Sequence, residues 1–287
     1  MKFGIVFVNT GPAARGDYAA GFAQAAEAAG FESVWTVEHV VVPAGYESSY
    51  PYSADGRMPG GEDVDIPDPL IWLSYVAAAT TTLRLGTGIL ILPQRNPVIL
   101  AKEVASLDLL SGGRVELGIG VGWLREEFEV LGVPFERRAA RTDEYIEVLR
   151  TLWREPEAGF SGEFTQFERA KSFPKPVQPG GVPIVVGGHT PAAARRAGRL
   201  GDGFFPAGGG LDELPSLLDE MRAAAASAGR DSDAIEITAG GAIDVEGVKR
   251  AADLGVSRLV LPMFGRDLDR VRQRLAAFGE DVIARSA

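Results

Sequence analysis

Short apolar runs alternate with amphipathic stretches along the whole chain. The runs fall at about residues 3–8, 33–37, 84–92, 114–119, 182–186, 203–205, 235–238 and 258–261, and their length and β-branched content predict strands. Between and after them, apolar residues recur at helical spacing. Tyr18, Phe22, Ala25 and Ala29 mark a helix from about residue 17 to Gly30. Leu100, Val104, Leu107 and Leu110 mark another, with Asn96 at its cap, Pro97 in its first turn and Gly112-Gly113 beyond its end. Further helices are predicted at about residues 68–82, 139–154, 191–200, 211–228, 245–254 and 268–283. Strand and helix patterns taking turns eight times predict an α/β chain folded as one (β/α)8 TIM barrel over residues 1–287, with no linker to mark a second domain.

Two segments break the rhythm. Residues 40–67, after the second strand, are rich in Pro, Gly, Tyr, Ser and Asp and far exceed an ordinary connection. Residues 155–181, after the fourth strand and its helix, scatter Phe160, Phe164, Phe167 and Phe173 among Gly, Pro and Lys. Both read as lid-like insertions, the second as a short hairpin or cover.

In a parallel α/β protein, ligands bind where strands end in the carboxyl direction. Glycine collects there. Gly86 and Gly88 on the third strand, with Gly118, Gly120 and Gly122 on the fourth, suggest a bare main-chain wall against which a planar cofactor could lie. Gly187, Gly188, His189 and Thr190 lead into a helix with Pro191 in its first turn, a natural seat for a phosphate. Gly208 opens a second run of three glycines before another helix. His39 ends the second strand and can transfer a proton near neutral pH. Glu38, facing the other way, reads as a salt-bridging group. Glycine-rich junctions also arise for geometry alone, and a histidine there can merely anchor a loop.

Composition narrows the field. The chain carries a net charge of −10 and no basic run, which argues against nucleic acid or an anionic membrane as partner. There is no cysteine, hence no disulfide, thiolate metal site or thiol nucleophile. Its two histidines, His39 and His189, have no metal-ligand spacing around them, so no metal is expected. No run is long enough to span a bilayer and the first strand is no signal peptide, so the expectation is a cytoplasmic enzyme.

Several stretches resemble the luciferase-like monooxygenase superfamily, whose barrels bind flavin or the deazaflavin coenzyme F420. They are Leu85-Gly-Thr-Gly-Ile-Leu-Ile-Leu-Pro-Gln-Arg-Asn-Pro97, Ala105-Ser-Leu-Asp-Leu-Leu-Ser-Gly-Gly-Arg114, residues 118–127 and residues 187–203. Gly120-Val-Gly-Trp-Leu-Arg-Glu-Glu-Phe128, Tyr50-Pro-Tyr52, Asp55-Gly-Arg57 and Lys175-Pro-Val-Gln178 are most similar to the deazaflavin-using branch. The resemblance implies a strand-three bulge with a cis peptide at Gly88-Ile89 behind the tricyclic ring, and His39 as the catalytic residue. It implies that Gly120, Val121 and Gly122 line the cofactor, that Gly187, Gly188, His189 and Thr190 hold its phosphate, and that the protein is a homodimer. Glu38 and Gly88 stand where many relatives have Asp and Ser. Trp123 stands where the sugar-phosphate dehydrogenases of the group place an acid, and the lysine they carry near Gly210 is missing. This predicts a more apolar pocket, shared with Tyr50, Tyr52 and Trp35. The implied activity is hydride transfer between F420 and a small organic substrate. The alternative is an FMN-dependent monooxygenase using reduced flavin and oxygen. A non-catalytic flavin-binding protein and a sugar-phosphate isomerase or aldolase rank lower, the last because these strand ends offer neither lysine nor paired carboxylates.

Overall fold

The computed structural model describes residues 1–206, 208, 210–241 and 244–286. The elements follow in the order β1 (Lys2–Val6), α1 (Gly16–Ala28), β2 (Ser33–Thr36), α2 (Pro69–Ala77), β3 (Arg84–Thr87), β4 (Leu90–Ile91) and α3 (Pro97–Ser111). Next come β5 (Val115–Gly120), α4 (Arg125–Val130), α5 (Arg138–Arg154), β6 (Ala158–Ser161), β7 (Gln166–Ala170) and β8 (Ile184–Gly187). The chain closes with α6 (Pro191–Leu200), β9 (Gly203–Phe205), α7 (Gly210–Ser227), β10 (Glu236–Gly240), α8 (Val245–Asp253), β11 (Arg258–Pro262) and α9 (Leu268–Phe278).

Parallel pairing runs from β3 through β2, β1, β11, β10, β9 and β8 to β5, and the β3–β5 pairing closes the ring. This is the predicted eight-strand TIM barrel, its third stave split into β3 and β4. The split falls at Gly88-Ile89, whose peptide bond is cis, as the resemblance implied. Residues 155–181 contain the antiparallel hairpin β6–β7. Asp68, Asn96 and Thr190 each accept main-chain N–H bonds at a helix start, with proline in the first turn each time.

Three boundaries differ from the prediction. β1 stops at Val6 because Phe7 takes a positive φ of 64°. α2 ends at Ala77 because the carboxylate of Glu27 takes the N–H groups of Thr81, Thr82 and Leu83. The last helix changes at Gly279 into a π-turn through Ile283.

Side chains alternate along every stave. Phe3, Ile5, Val34, Leu85, Leu117, Ile119, Ile184, Phe204 and Leu259 face the helices and form the main core. Val6, Trp35, Val185, Phe205 and Val260 form a separate cluster, which the alternation places along the barrel axis. Below it lies a charged floor. Arg258, fully buried, binds Glu32 and Glu116 and lies 3.2 Å from Glu236, with its guanidinium 5.1 Å from the Trp35 ring. Burial alone would lower the pKa of Arg258, but these carboxylates raise it, so the charge stays.

Two glycines expected in the cofactor wall belong to this interior instead. A methyl group on Gly86 would lie 2.5 Å from the indole of Trp35, and one on Gly118 would overlap the carbonyl oxygen of Thr87. They make room for the barrel's own packing. Trp35 is likewise withdrawn from the expected pocket, being wholly buried with its indole N–H on Ser33 Oγ at 2.9 Å.

Candidate active site

The carboxyl ends of β2, β3, β4, β5, β8 and β9 gather the sequence-predicted residues. Gly88 and Ile89 are partly exposed between β3 and β4, and Gly88 N–H bonds to Thr36 O at 2.6 Å, which ties the bulge to the end of β2. Ile89 then fills the space that two neighbouring glycines leave. A methyl on Gly120 would come 2.5 Å from its Cδ1, and one on Gly187 would overlap its Cγ2. The mouth is therefore a small apolar surface made of Ile89 framed by bare backbone. Gly120, Val121, Gly122 and Trp123 continue it as partly exposed residues.

His39 follows β2 and its side chain is 9% exposed. Nδ1 lies 3.1 Å from Oε2 of Glu127, whose side chain is fully buried at α4. The other oxygen of Glu127 accepts the N–H groups of Val40 at 2.7 Å and Val41 at 3.3 Å. Its neighbour Glu126 accepts from the N–H groups of Glu47 and Ser48 and from Ser48 Oγ. Burial alone would raise the pKa of Glu126, but the Ser48 hydroxyl and main-chain donors hold it down at about 2. One turn of α4 thus fastens both the histidine and the first half of the insertion. The far end is held by buried Asn9, which brackets Val37 N–H and C=O and donates to Pro67 O at 2.9 Å.

Glu38 binds Arg95 and the Ile91 N–H, and Arg95 also binds Asp68 at the start of α2. Burial works against the Arg95 charge, yet Glu38 and Asp68 raise its pKa overall. The salt-bridging role read from sequence stands, and it pins the segment just after the bulge.

The insertion brings an aromatic chain over the mouth. The His39 ring meets Trp123 edge-on at 5.7 Å, Trp123 meets Tyr46 at 5.5 Å and Tyr50 at 5.2 Å, and Tyr50 meets Tyr52 at 5.3 Å. Tyr52 reaches His189 at 4.9 Å and approaches Gly208, so the lid crosses from the end of β2 to the ends of β8 and β9. Burial, then the neighbouring Tyr50, pushes the Tyr52 hydroxyl up to about 12.

At the β8 end, Gly188 has a φ of 118°, a conformation that suits glycine, and Thr190 caps α6 through Ala193 N–H at 3.2 Å. His189 Nδ1 is buried without a hydrogen-bond partner among the described residues. Gly208 is exposed with a φ of 88°, whereas Gly209, in the same run, lies outside the described residues. Among the described residues no three His, Cys, Asp or Glu side chains cluster as a metal site, and no helix is long and apolar enough to cross a membrane.

Sequence reasoning missed Glu127, Asn9 and Tyr46. The signal for Glu127 was an acidic pair in the first turn of the helix that follows the Gly-rich strand, in a stretch noted only for its similarity.

The family model for luciferase-like monooxygenases matches residues 1–281. The chain belongs to this family. Within it, the chain is 36% identical over 272 residues to an uncharacterized protein of Mycobacterium tuberculosis, covering 92% of this chain and 93% of the relative. It is 35% identical over 229 residues to an F420-dependent glucose-6-phosphate dehydrogenase of Kineococcus radiotolerans, covering 76% and 62%. Among solved structures, monooxygenase RslO1 from Streptomyces bottropensis superposes with a TM-score of 0.77 at 25% identity over 100% of both chains. An F420-dependent secondary alcohol dehydrogenase, in complex with an F420-acetone adduct, superposes with a TM-score of 0.80 at 20% identity over 99% and 98%. This luciferase-like chain is therefore a member of an oxidoreductase family with the family's barrel.

Proposed function

We propose that this luciferase-like protein transfers hydride between the deazaflavin F420 and a small, largely apolar organic substrate. The observation that carries the reading is the pairing of His39 with the Gly88-Ile89 surface at adjoining strand ends, under an aromatic lid. The choice of deazaflavin over flavin is supported by the 35% identity to an F420-dependent dehydrogenase across 76% of the chain.

The residues fit a phosphorylated tricycle. Ile89 with Gly88, Gly120, Val121 and Gly122 would hold the ring. Gly187, Gly188, His189, Thr190 and Gly208 would hold the phosphate, where a buried imidazole nitrogen lacks a partner and α6 begins. When bound, the deazaflavin supplies a carbon that takes or gives hydride. His39 holds or releases the proton that balances the hydride, at its nitrogen away from Glu127. Trp123, Tyr46, Tyr50 and Tyr52 exclude water and offer ring faces to an apolar or aromatic substrate body. Those rings favour such a body over a sugar phosphate.

A second reading, an FMN-dependent monooxygenase, has the 25% identity to RslO1 in its favour. Spectroscopic titration with F420 and FMN separates the two. Saturable F420 binding, with His39→Ala retaining binding but losing turnover, is the expected result. Tight FMN binding with no F420 binding would overturn the deazaflavin assignment, and unchanged turnover in His39→Ala would remove His39 from the chemistry.

A further inference from the structure

We infer that Glu127 is a positioning residue that fixes which nitrogen of His39 carries the hydrogen, holding Nδ1 protonated and leaving Nε2 as the exchanging nitrogen. The catalytic consequence rests on the function proposed above; the tautomer does not.

An ionised carboxylate can only accept hydrogen bonds. Glu127 is surrounded by donors: Val40 and Val41 N–H on Oε1, and the imidazole on Oε2. With both main-chain donors on Oε1, the oxygen left to meet the imidazole is Oε2, and as a carboxylate oxygen it can only accept. Nδ1 then must carry a hydrogen, whatever the protonation at Nε2. The Trp123 ring packs against the imidazole with the two planes 83° apart. Nε2 has no hydrogen bond among the described residues and is not sealed from solvent, so it is free to exchange a proton.

The other charged groups nearby are already engaged. Glu38, on the same segment, is turned to Arg95 and Asp68. From α4 and its approach, Glu126 holds Ser48, and Arg125 pairs with Glu136 over the Phe135 ring. From the insertion, Tyr46 and Tyr50 face Trp123, and the guanidinium of Arg57 sits over the Tyr46 ring. Glu127 is the charged group that acts on the imidazole.

The proposed exchange then balances. A bound deazaflavin would serve as the hydride acceptor for an alcohol substrate, and Nε2 would take the hydroxyl proton, giving a carbonyl product and an imidazolium that faces the Glu127 carboxylate. In the reducing direction the imidazolium would return the Nε2 proton to the carbonyl oxygen as it becomes the alcohol.

The test uses the fact that the chain has two histidines. Imidazole 15N–1H correlation spectra of the full-length protein without cofactor, with His189→Asn to assign the remaining signal, report the tautomer directly. A pyrrole-like Nδ1 and pyridine-like Nε2 are expected for neutral His39. In Glu127→Gln, the amide oxygen stays on Val40 and Val41, so the NH2 group faces Nδ1 and the tautomer should reverse. A wild-type Nε2–H form, or an unchanged tautomer in Glu127→Gln, overturns the inference. With substrate and F420, the variant should lose about 10²–10⁴ in kcat. Its KM should change little. Tautomer reversal without any F420 turnover in the parent protein would sink the function and leave the positioning role intact.

Discussion

Ile89 is held from two sides, and this can be measured. Its Cδ1 lies where a methyl on Gly120 would come within 2.5 Å, while its Cγ2 blocks a methyl on Gly187. Rotation about χ2 can carry Cδ1 away, but Cγ1 would still lie 3.0 Å from the new methyl, so relief is incomplete. Gly120→Ala should therefore cost about 1–3 kcal/mol, the usual range for overpacking. Ile89→Ala should cost about 1–2 kcal/mol, below the ~2–5 kcal/mol of a sealed site because Ile89 is partly open to the mouth. In the Ile89→Ala background the steric conflict is gone. Gly120 lies outside the positive-φ region, so alanine there should be neutral or stabilising by up to about 1 kcal/mol. The double-mutant cycle, read from urea unfolding midpoints at constant m, should give a coupling energy of about 2 kcal/mol. Additivity within about 0.5 kcal/mol would show that Ile89 does not occupy the space these glycines leave.

Asn9→Ala removes three hydrogen bonds that its buried side chain makes to partly buried main-chain groups of Val37 and Pro67. It should cost about 2–4 kcal/mol. Limited proteolysis should also cut residues 40–67 faster; an unchanged cleavage pattern would mean the clamp does not hold the lid. Arg258→Met leaves Glu32, Glu116 and Glu236 facing one another and should cost about 3–5 kcal/mol near pH 7. In the parent, burial raises the Glu32 pKa but Arg258 outweighs it, so that stability is present above the unfolded carboxylate pKa of about 4.3 and falls with acid. Without Arg258 the carboxylates favour protons, so Tm of the variant should rise from pH 7 to pH 5 while the parent's does not; parallel profiles would refute this. Glu126, held at about 2, should keep the Glu47 and Ser48 amides protected above about pH 4.3 and release them as pH falls toward 2. Amide chemical shifts of those two residues check this, and shifts that stay flat across that window would contradict it.

The alternation of strand and helix was legible because each stave obeys a local rule, and the junctions at Asn96-Pro97 and Thr190-Pro191 announced their caps without tertiary help. The glycines were harder. From sequence, Gly86 and Gly120 look alike, two bare positions on neighbouring strands. Only the ring's register shows that Gly86 lies beneath Trp35 while Gly120 reaches the mouth beside Ile89. A missing Cβ says that something comes close, not what. Trp35 was misplaced for the same reason, since one residue along a strand reverses a side chain's side. Glu127 was illegible for a different cause: its partners lie 86 to 88 residues away, and no local pattern encodes a contact made by a loop folding back.

The arginine-centred cluster beneath the barrel bears on what this protein can become. Ser33 starts β2 and Thr36 ends it, about 10 Å further along at the strand rise, and His39 lies beyond that far end. The groups that anchor the fold and those that meet a reactant therefore occupy opposite poles of the same staves. New side chains can be tried at the upper pole while the lower one goes on fixing the geometry, so chemistry can diversify without the framework being rebuilt.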